Sequence, residues 1–186
     1  MTRLITSLKV FFFFALLLGL IYPLFVMLLG QTIFPKEANG SLIKRNGKVI
    51  GSSLIAQKFS KPRYFHSRFS AVNYDASSSG GSNLALSSRD MYKQTKKHVE
   101  SVRNENDLPK ILSLPSDSVL SSASGLDPHI SLTNALIQLP RVARRRGLSK
   151  KVMRRLIHKY SEHDFIGIWG QTGVNVLQLN LALDKL

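Results

Sequence analysis

The sequence predicts an α+β protein: one N-terminal transmembrane helix followed by a single mixed α/β extracytoplasmic domain. Three observations predict it, namely an uncharged apolar run at 10–30, helical spacing of apolar residues in three later segments, and alternating apolar residues in two others. The boundaries that follow are a short cytoplasmic N-terminus at 1–9, the transmembrane helix at 10–30 and the folded domain at 31–186.

The apolar run consists mostly of Leu, Ile, Phe and Val. A helix of about 20 residues crosses a hydrocarbon core of about 30 Å, so residues 10–30 are long enough to span a bilayer. Pro23 is expected to kink this helix without preventing insertion. A cleaved signal peptide is the alternative, but the run is long for one and no small-x-small site follows it. Arg3 and Lys9 favour a cytoplasmic N-terminus, which places the domain outside.

The first half of the domain predicts one pair of strands, one loop and one helix. Residues 47–59 have β-branched and alternating residues around a glycine, which predicts strand–turn–strand. Residues 61–83 are rich in Pro, Ser, Gly and aromatic residues and predict an irregular loop. Residues 89–104 predict a helix, since one face collects Met91, Tyr92, Thr95, Val99 and Val102.

The second half predicts two helices and a C-terminal strand. Ser131 is a candidate N-cap for a helix that is interrupted at Pro140, and Ser149 is a candidate N-cap for the next helix. Residues 174–183 alternate Leu with other residues, which predicts a strand buried on at least one face. A buried helix is the alternative for this last segment.

The chain is strongly basic, with 26 Lys+Arg against 11 Asp+Glu and a formal net charge of +15. Such a charge suggests nucleic acid or an anionic membrane as a partner, and the transmembrane helix argues against nucleic acid. The cations concentrate in a basic block at 141–159, with no carboxylate between Asp127 and Glu162. The block could bind anionic lipid headgroups or an acidic protein surface, or it could be a solvated helix face.

Motifs for catalysis and metal binding are scarce. The chain has no cysteine, no Walker A sequence, no Gly-x-Ser-x-Gly and no His-Glu-x-x-His, and its histidines (66, 98, 129, 158 and 163) lack ligand spacing. No catalytic residue, metal or bound cofactor is therefore predicted. Ser124, Asp127 and His129 have the composition of a hydrolase triad, although an Asp-Pro turn is the commoner reason for such an aspartate.

A glycine-rich loop at 79–83 is a second candidate. Gly80 and Gly81 could expose backbone N–H groups to an anion or to the carbonyls of a partner. A flexible turn is the simpler interpretation.

Six motifs in one order carry a resemblance to a known family. They are N-G-K-V-I-G-S from Asn46, Y-F-H-S-R-F-S-A from Tyr64, S-G-G-S-N-L from Ser79, S-G-L-D-P-H-I-S from Ser124, Q-L-P-R-V-A-R-R-R-G-L-S from Gln138 and G-V-N-V-L-Q-L-N-L-A-L-D from Gly173. Together with the N-terminal helix, they make nearly the whole chain resemble the C subunit of the bacterial Kdp potassium-transporting P-type ATPase.

The resemblance implies a single-span subunit of the bacterial cytoplasmic membrane. Its partners would be a channel-like potassium-binding subunit and a P-type catalytic subunit, whose assembly it assists and whose ATP affinity it raises as a catalytic chaperone. ATP would then act through the catalytic subunit, because this chain lacks the phosphorylation motif Asp-Lys-Thr-Gly-Thr. The motifs give these candidate functional positions: Tyr64, Phe65, Arg68, Ser79, Gly80, Gly81, Ser82, Asn83, Ser124, Gly125, Asp127, Pro128, His129, Gln138, Arg141, Asn175 and Asn180.

The chain departs from the family pattern at three places. Phe69 stands where the family usually has Pro, and Ala85-Leu86 where it usually has Gly-Pro. Gln171-Thr172 stands where Glu-Pro is common. These departures put the local loop geometry, and any role of a carboxylate at position 171, in question.

Overall fold

The structure, a computed structural model, describes residues 2–162 and 170–186. The chain forms two compact units, Met1–Ser52 and Ser53–Leu186. Helices and strands both occur, which confirms the predicted mixed class.

The first unit begins with a continuous apolar helix, Thr2–Ile33, that is long and apolar enough to cross a membrane. It is longer than the predicted 10–30 and consists of α1 (Thr2–Leu16), a π-helical turn (Leu17–Ile21) and α2 (Tyr22–Ile33). The π turn ends at Ile21, two residues before Pro23, and the N–H of Tyr22, which follows it, donates to the carbonyl of Leu17. A widened turn there accommodates a proline, which has no N–H to donate and whose ring crowds the preceding turn.

A short helix, α3 (Pro35–Ala38), leads to an antiparallel hairpin of β1 (Leu42–Arg45) and β2 (Lys48–Ser52). Its turn residues Asn46 and Gly47 have φ values of 52° and 75°. Two positive φ values are what a type I′ turn requires, and Asn-Gly is its preferred sequence. The predicted strand–turn–strand at 47–59 was therefore wrong: the hairpin lies one strand earlier, and residues 53–59 form no strand.

The second unit opens with an irregular stretch that includes the predicted loop at 61–83, followed by α4 (Arg89–Asn106). The Oγ of Ser88 caps α4, and Asp107 ends it in the left-handed conformation. The helix predicted at 89–104 is thus confirmed, with two more residues at its C-terminal end.

A three-stranded antiparallel sheet and two helices follow. The strands β3 (His129–Ser131), β4 (Ser161–Glu162) and β5 (Gly173–Asn175) pair in the order β3-β5-β4. The helices are α5 (Leu132–Arg146) and α6 (Lys150–Lys159), and their N-caps are the predicted ones, Ser131 and Ser149.

Helix α5 continues through Pro140, contrary to the predicted interruption. Leu139, Val142 and Ala143, on either side of the proline, are all buried in the core. Proline inside a helix costs about 3 kcal/mol, and burial of Leu139 and Val142, at about 1.5–3 kcal/mol each, offsets that cost. Packing therefore outweighs the local preference of proline.

The C-terminal segment is a helix, α7 (Val176–Leu183), and only β5 before it is a strand. The predicted strand at 174–183 was wrong and its alternative, a buried helix, is right. The buried residues of α7 include Val176, Leu179, Asn180 and Leu183, at spacings of three and four. The core of this unit consists of Phe65, Ile130, Ala135, Leu139, Val142, Ala143, Met153, Ile157, Val174, Val176, Leu179 and Leu183.

Candidate functional site

Buried polar side chains hold the irregular stretch 62–66, here named the clamped segment. Arg141 on α5 is 3% exposed. Its Nη1 donates to the carbonyls of Pro62 (2.6 Å) and Tyr64 (2.9 Å), and its Nε donates to the Oδ1 of Asn106 on α4 at 2.9 Å. One guanidinium therefore joins two helices to the clamped segment.

The side-chain amides of Gln138 and Asn180 also hold this segment, and together with Arg141 they are here named the clamp. The Oε1 of Gln138 accepts from the N–H of His66 at 2.8 Å, and its Nε2 donates to the carbonyl of His66 at 3.1 Å. On α7, the Oδ1 of Asn180 accepts from the N–H of Phe65 at 2.9 Å, and its Nδ2 donates to the carbonyl of Phe65 at 2.8 Å. Each amide thus satisfies both backbone groups of one residue, as a neighbouring strand would, and Phe65 enters the core.

Charged groups surround the clamp. The Nδ1 of His66 lies 3.2 Å from the Oε2 of Glu105. The hydrogen bond from His66 lowers the pKa of Glu105, although partial burial opposes the shift. Burial lowers the pKa of Arg141, and the nearby charge of Glu105 opposes that change.

Tyr64 reaches a second ion pair. Its hydroxyl donates to the Oδ2 of Asp184 at 3.0 Å, while Arg146 lies 2.8 Å from the Oδ1 of the same carboxylate. Burial would raise the pKa of Asp184, but the hydrogen bonds from Arg146 and Tyr64 outweigh it and the pKa is lowered. Five of the predicted positions, Tyr64, Phe65, Gln138, Arg141 and Asn180, therefore meet in one structural network.

Five further candidates meet at the Asp-Pro turn: Arg68, Asp127, Pro128, His129 and Asn175. Asp127 lies 3.1 Å from Arg68 through its Oδ2, and its Oδ1 accepts from the backbone N–H of His129 at 2.9 Å. The side-chain nitrogen of Asn175 lies 3.5 Å from the Nε2 of His129. Burial opposes ionisation of Asp127, but the hydrogen bonds from His129 and Arg68 prevail and lower its pKa. The carbonyl of Pro128 accepts from the N–H of Val176, which ties the turn to α7.

The hydrolase triad is not formed. The exposed Ser124 uses its Oγ to accept from the N–H of Leu126 at 3.1 Å, and within the described residues no hydrogen bond joins it to His129. Asp127 instead closes a turn onto the backbone of His129, the usual role of an aspartate before proline. These three residues therefore do not have the hydrogen bonds of a Ser–His–Asp triad, and the turn accounts for Asp127.

The two glycine-containing loops form one surface. The N–H of Gly80 donates to the carbonyl of Ser124 at 2.8 Å, and the Oγ of Ser79 donates to the same oxygen at 3.0 Å. The Gly80 N–H is thus occupied within the chain and does not face an external anion. Next to this contact Ser82 is half-buried, and Asn83 is exposed with a φ of 51°.

Close packing explains two of the glycines. A Cβ on Gly81 would lie 2.8 Å from the carbonyl oxygen of Ala123. Gly125 has a φ of +69°, and a Cβ there would lie 2.6 Å from a methyl group of Val72. Both positions need glycine because another segment of backbone or side chain occupies the space.

Two concavities flank these networks. A cavity of about 350 Å³ lies beside the clamp, with His66, Glu105 and Tyr74 among its lining residues. A wider cleft of about 650 Å³ includes Arg68 and Asp127. Among residues 2–162 and 170–186, no group of three or more His, Asp or Glu is placed to hold a metal ion. His163 lies outside the described residues.

The departures from the family pattern have identifiable surroundings. The ring of Phe69 stacks on His98, with centroids 3.6 Å apart and an interplanar angle of 4°. Leu86 is 90% exposed in a turn before α4. Gln171 and Thr172 line the wider cleft.

Sequence reasoning missed Asp117, which organises the start of α5. Its carboxylate accepts from the N–H and Oγ of Ser131 and from the Nδ2 of Asn134. It also missed Asn106 as a partner of Arg141. No local pattern marks either residue, because their partners lie 14 to 35 residues away in the sequence.

Comparison with known proteins decides the family. The model of the family described as "K+-transporting ATPase, c chain" (KdpC) matches residues 4–185. The chain belongs to the KdpC family. Among its KdpC relatives, the potassium-transporting ATPase KdpC subunit of Caldanaerobacter subterraneus subsp. tengcongensis is 47% identical over 91% of this chain and 88% of its own.

Two more KdpC relatives cover almost the whole length. The KdpC subunit of Koribacter versatilis is 45% identical over 98% of this chain and 94% of its own, and that of Mycobacterium bovis is 42% identical over 99% and 98%. The family resemblance inferred from the six motifs is confirmed. The clamp and the Asp-Pro turn thus belong to the folded domain of a KdpC-family protein.

Proposed function

We propose that this chain is an accessory subunit of an ATP-driven potassium uptake complex and carries no catalytic step of its own. The observation that supports this most strongly is the family match over residues 4–185, because it includes both the apolar helix and the folded domain. The relatives, at 42–47% identity, are named as subunits of a potassium-transporting ATPase.

The chemistry on the chain agrees with a supporting role. The sequence lacks Asp-Lys-Thr-Gly-Thr, so it has no aspartate in the motif that accepts a phosphoryl group. In the described part of the chain, the Oγ of Ser124 is hydrogen-bonded to the N–H of Leu126 within its own turn. ATP hydrolysis would therefore take place on a partner subunit.

The partners in this proposal are a channel-like potassium-binding subunit and a P-type catalytic subunit. The chain assists their assembly and raises the ATP affinity of the catalytic subunit indirectly, with its outer domain over the potassium entry side. The two joined glycine loops and the clamp favour a rigid docking body, because side-chain hydrogen bonds fix the irregular backbone.

The proposal also includes a place in the cell. Thr2–Ile33 spans the bacterial cytoplasmic membrane with its N-terminus inside and the domain outside, since Arg3 and Lys9 lie at the N-terminal end. Anionic lipid headgroups are a further partner, favoured by the basic block at 141–159.

Co-purification tests the assembly role. The full chain carries an affinity tag and is expressed with the two partner subunits; a second version has residues 10–30 replaced by an unrelated apolar span of equal length. We expect the wild type to retain both subunits and potassium-stimulated ATPase activity, and the replaced version to lose them. A wild-type chain that retains neither subunit would contradict the proposal.

Single cysteines test the orientation, because the natural chain has none. Leu86→Cys is in the exposed turn before α4, and Ser7→Cys is near the N-terminus. A membrane-impermeant maleimide applied to intact cells should label position 86 and spare position 7. Labelling of position 7 alone would reverse the proposed orientation.

The effect on ATP is a separate measurement. The KM for ATP of the complex containing the wild-type chain is compared with that of a complex in which the chain has been dissociated. We expect the KM to rise severalfold on dissociation while the phosphorylated subunit stays intact. An unchanged KM would rule out the chaperone role and leave the assembly role standing.

A further inference from the structure

A cationic surface lies on the end of α5 and the outer side of α6. We define it as Arg145, Lys150, Lys151, Arg154, Arg155 and Lys159, all of which are exposed. On α6 these side chains lie opposite Met153 and Ile157, which are fully buried in the core. Spacings of four residues arrange them in two neighbouring rows along about 15 Å of helix.

The charge of this surface is not compensated within the described residues. None of the six cations makes an ion pair there, whereas their neighbours Arg144 and Arg146 pair with Asp107 and Asp184 at 2.5 and 2.8 Å. The N-terminal turn of α6 has no acidic residue and instead carries Lys150 and Lys151. Cations at a helix N-terminus and four residues apart repel, so a negatively charged partner would relieve the repulsion.

The chain tethers this surface near a bilayer. The apolar helix ends at Ile33 and the second unit begins at Ser53, so the connecting chain reaches at most roughly 70 Å when fully extended. Lipid headgroups are therefore present at high local concentration for as long as the apolar helix is inserted.

The composition of the surface favours lipid over an acidic protein. Protein interfaces have a buried apolar centre with aromatic or aliphatic anchors. Val152, at 38% exposure, is the one exposed large apolar side chain on α6. A dense array of Lys and Arg without such a centre matches delocalised attraction to phosphate headgroups.

We propose that the cationic surface binds the phosphate groups of anionic phospholipids in the membrane that holds the apolar helix. The inference rests on the proposed function, because it requires Thr2–Ile33 to be inserted in a bilayer. It adds a defined surface to that function. The contact should weaken as salt is raised, since the screening length falls from about 10 Å at 0.1 M to about 3 Å at 1 M.

The test uses the full chain with Val152→Cys, which places a fluorophore within the surface and keeps all six cations. The protein is reconstituted into phosphatidylcholine vesicles with or without about 30% phosphatidylglycerol, each with a headgroup-linked quencher. We expect quenching several times stronger with phosphatidylglycerol and a loss of the difference at 1 M salt. The Leu86→Cys reporter should be quenched equally in both vesicles.

Charge reversal supplies the matched comparison. Lys151→Glu, Arg154→Glu and Arg155→Glu together should reduce the phosphatidylglycerol-dependent quenching by about tenfold or more. The same three reversals at the exposed Lys93, Lys96 and Lys97 of α4 should leave it close to the wild-type value. Circular dichroism confirms that both variants keep the helical content of the wild type.

Three results would overturn the proposal: equal quenching in both vesicles, equal effects of the α6 and α4 reversals, or shielding at position 152 only when partner subunits are added. Co-purification of the same variants with the ATPase subunits separates the two proposals. Loss of wild-type co-purification with intact lipid-dependent quenching refutes the function alone. Normal co-purification with no lipid dependence refutes the lipid contact alone.

Discussion

The basic block contains two kinds of arginine that the sequence does not distinguish. Arg141 is buried, and its guanidinium donates to two carbonyls and two amide oxygens. Arg154 and Arg155, on the cationic surface, are exposed and unpaired in the described part of the chain. Burial, rather than charge density, therefore decides whether an arginine holds the fold together.

The largest effect is expected when Arg141→Leu removes the guanidinium. The carbonyls of Pro62 and Tyr64 and the Oδ1 of Asn106 would then lose this donor, while the Oε1 of Gln138 would keep the N–H of His66. We expect the free energy of unfolding to fall by roughly 3 kcal/mol. Thermal unfolding of the full chain in detergent measures this. Arg155→Leu, the exposed counterpart, should change stability by less than about 0.5 kcal/mol. Equal effects would abolish the distinction between the two regions.

The next effect concerns the amide that pairs with Phe65. Asn180→Ala leaves both the N–H and the carbonyl of Phe65 without their partner inside the domain. We expect a loss of about 2–3 kcal/mol, because each unsatisfied buried backbone group costs about 1–3 kcal/mol. Gln178→Ala, on the same helix and half-buried, is the control. Hydrogen exchange at Phe65 should be accelerated only in the first variant.

The glycine loops extend the comparison to backbone packing. Gly81→Ala would place a methyl group 2.8 Å from the carbonyl of Ala123, and we expect a cost of about 1–3 kcal/mol. Gly80→Ala meets only a Val72 methyl group at an ordinary 3.6 Å and should be neutral or slightly stabilising. Urea denaturation of the two variants provides the test, and a larger loss for Gly80→Ala would contradict it.

Acid should weaken the paired carboxylates. The pKa of Asp127 is lower in the folded chain than in the unfolded chain. Its contribution to the free energy of unfolding is therefore complete above the unfolded pKa near 3.9, and it is lost as the pH falls through the folded pKa. Asp127→Asn should therefore flatten the decline of Tm below about pH 4. Asp90→Asn, at the exposed start of α4, should leave the decline unchanged.

The smallest effect is expected on the cationic surface itself. Lys150→Gln with Lys151→Gln removes repulsion along α6 and at its N-terminus, which should raise stability by a few tenths of a kcal/mol. The gain should vanish at high salt because the repulsion is already screened there. A loss of stability in the double variant would mean that these lysines have structural partners after all.

Local sequence patterns were sufficient to predict the elements whose positions depend on neighbouring residues. The apolar run, the N-caps Ser131 and Ser149 and the helix before Asp107 all follow from neighbouring residues. The C-terminal helix was missed because its apolar residues fit a period of two as well as a period of 3.6. The first hairpin differs from the predicted one because its turn is Asn46–Gly47, which precedes most of the segment 47–59 whose alternating residues predicted the strands.

The site was predicted as a set of residues but not as an arrangement. The partners of Asn180 lie 115 residues away in sequence, and those of Gln138 on His66 lie 72 residues away. Residues so far apart in sequence meet only when the core packs, and the periodicity of the sequence does not show which of them will meet. Motif resemblance therefore pointed to Arg141, Gln138 and Asn180, while their roles and their partner Asn106 follow only from the folded arrangement.

The π turn in the apolar helix has a consequence for whatever lies beside it. One extra residue in a turn rotates the following half of a helix by about 100° relative to an unbroken α-helix. A straight neighbour would thus contact one stripe of side chains on Thr2–Leu16 and a stripe displaced by one residue on Tyr22–Ile33. Removing a single residue from Leu17–Ile21 would bring the two stripes into one line and change the side chains presented to that neighbour, at unchanged hydrophobicity.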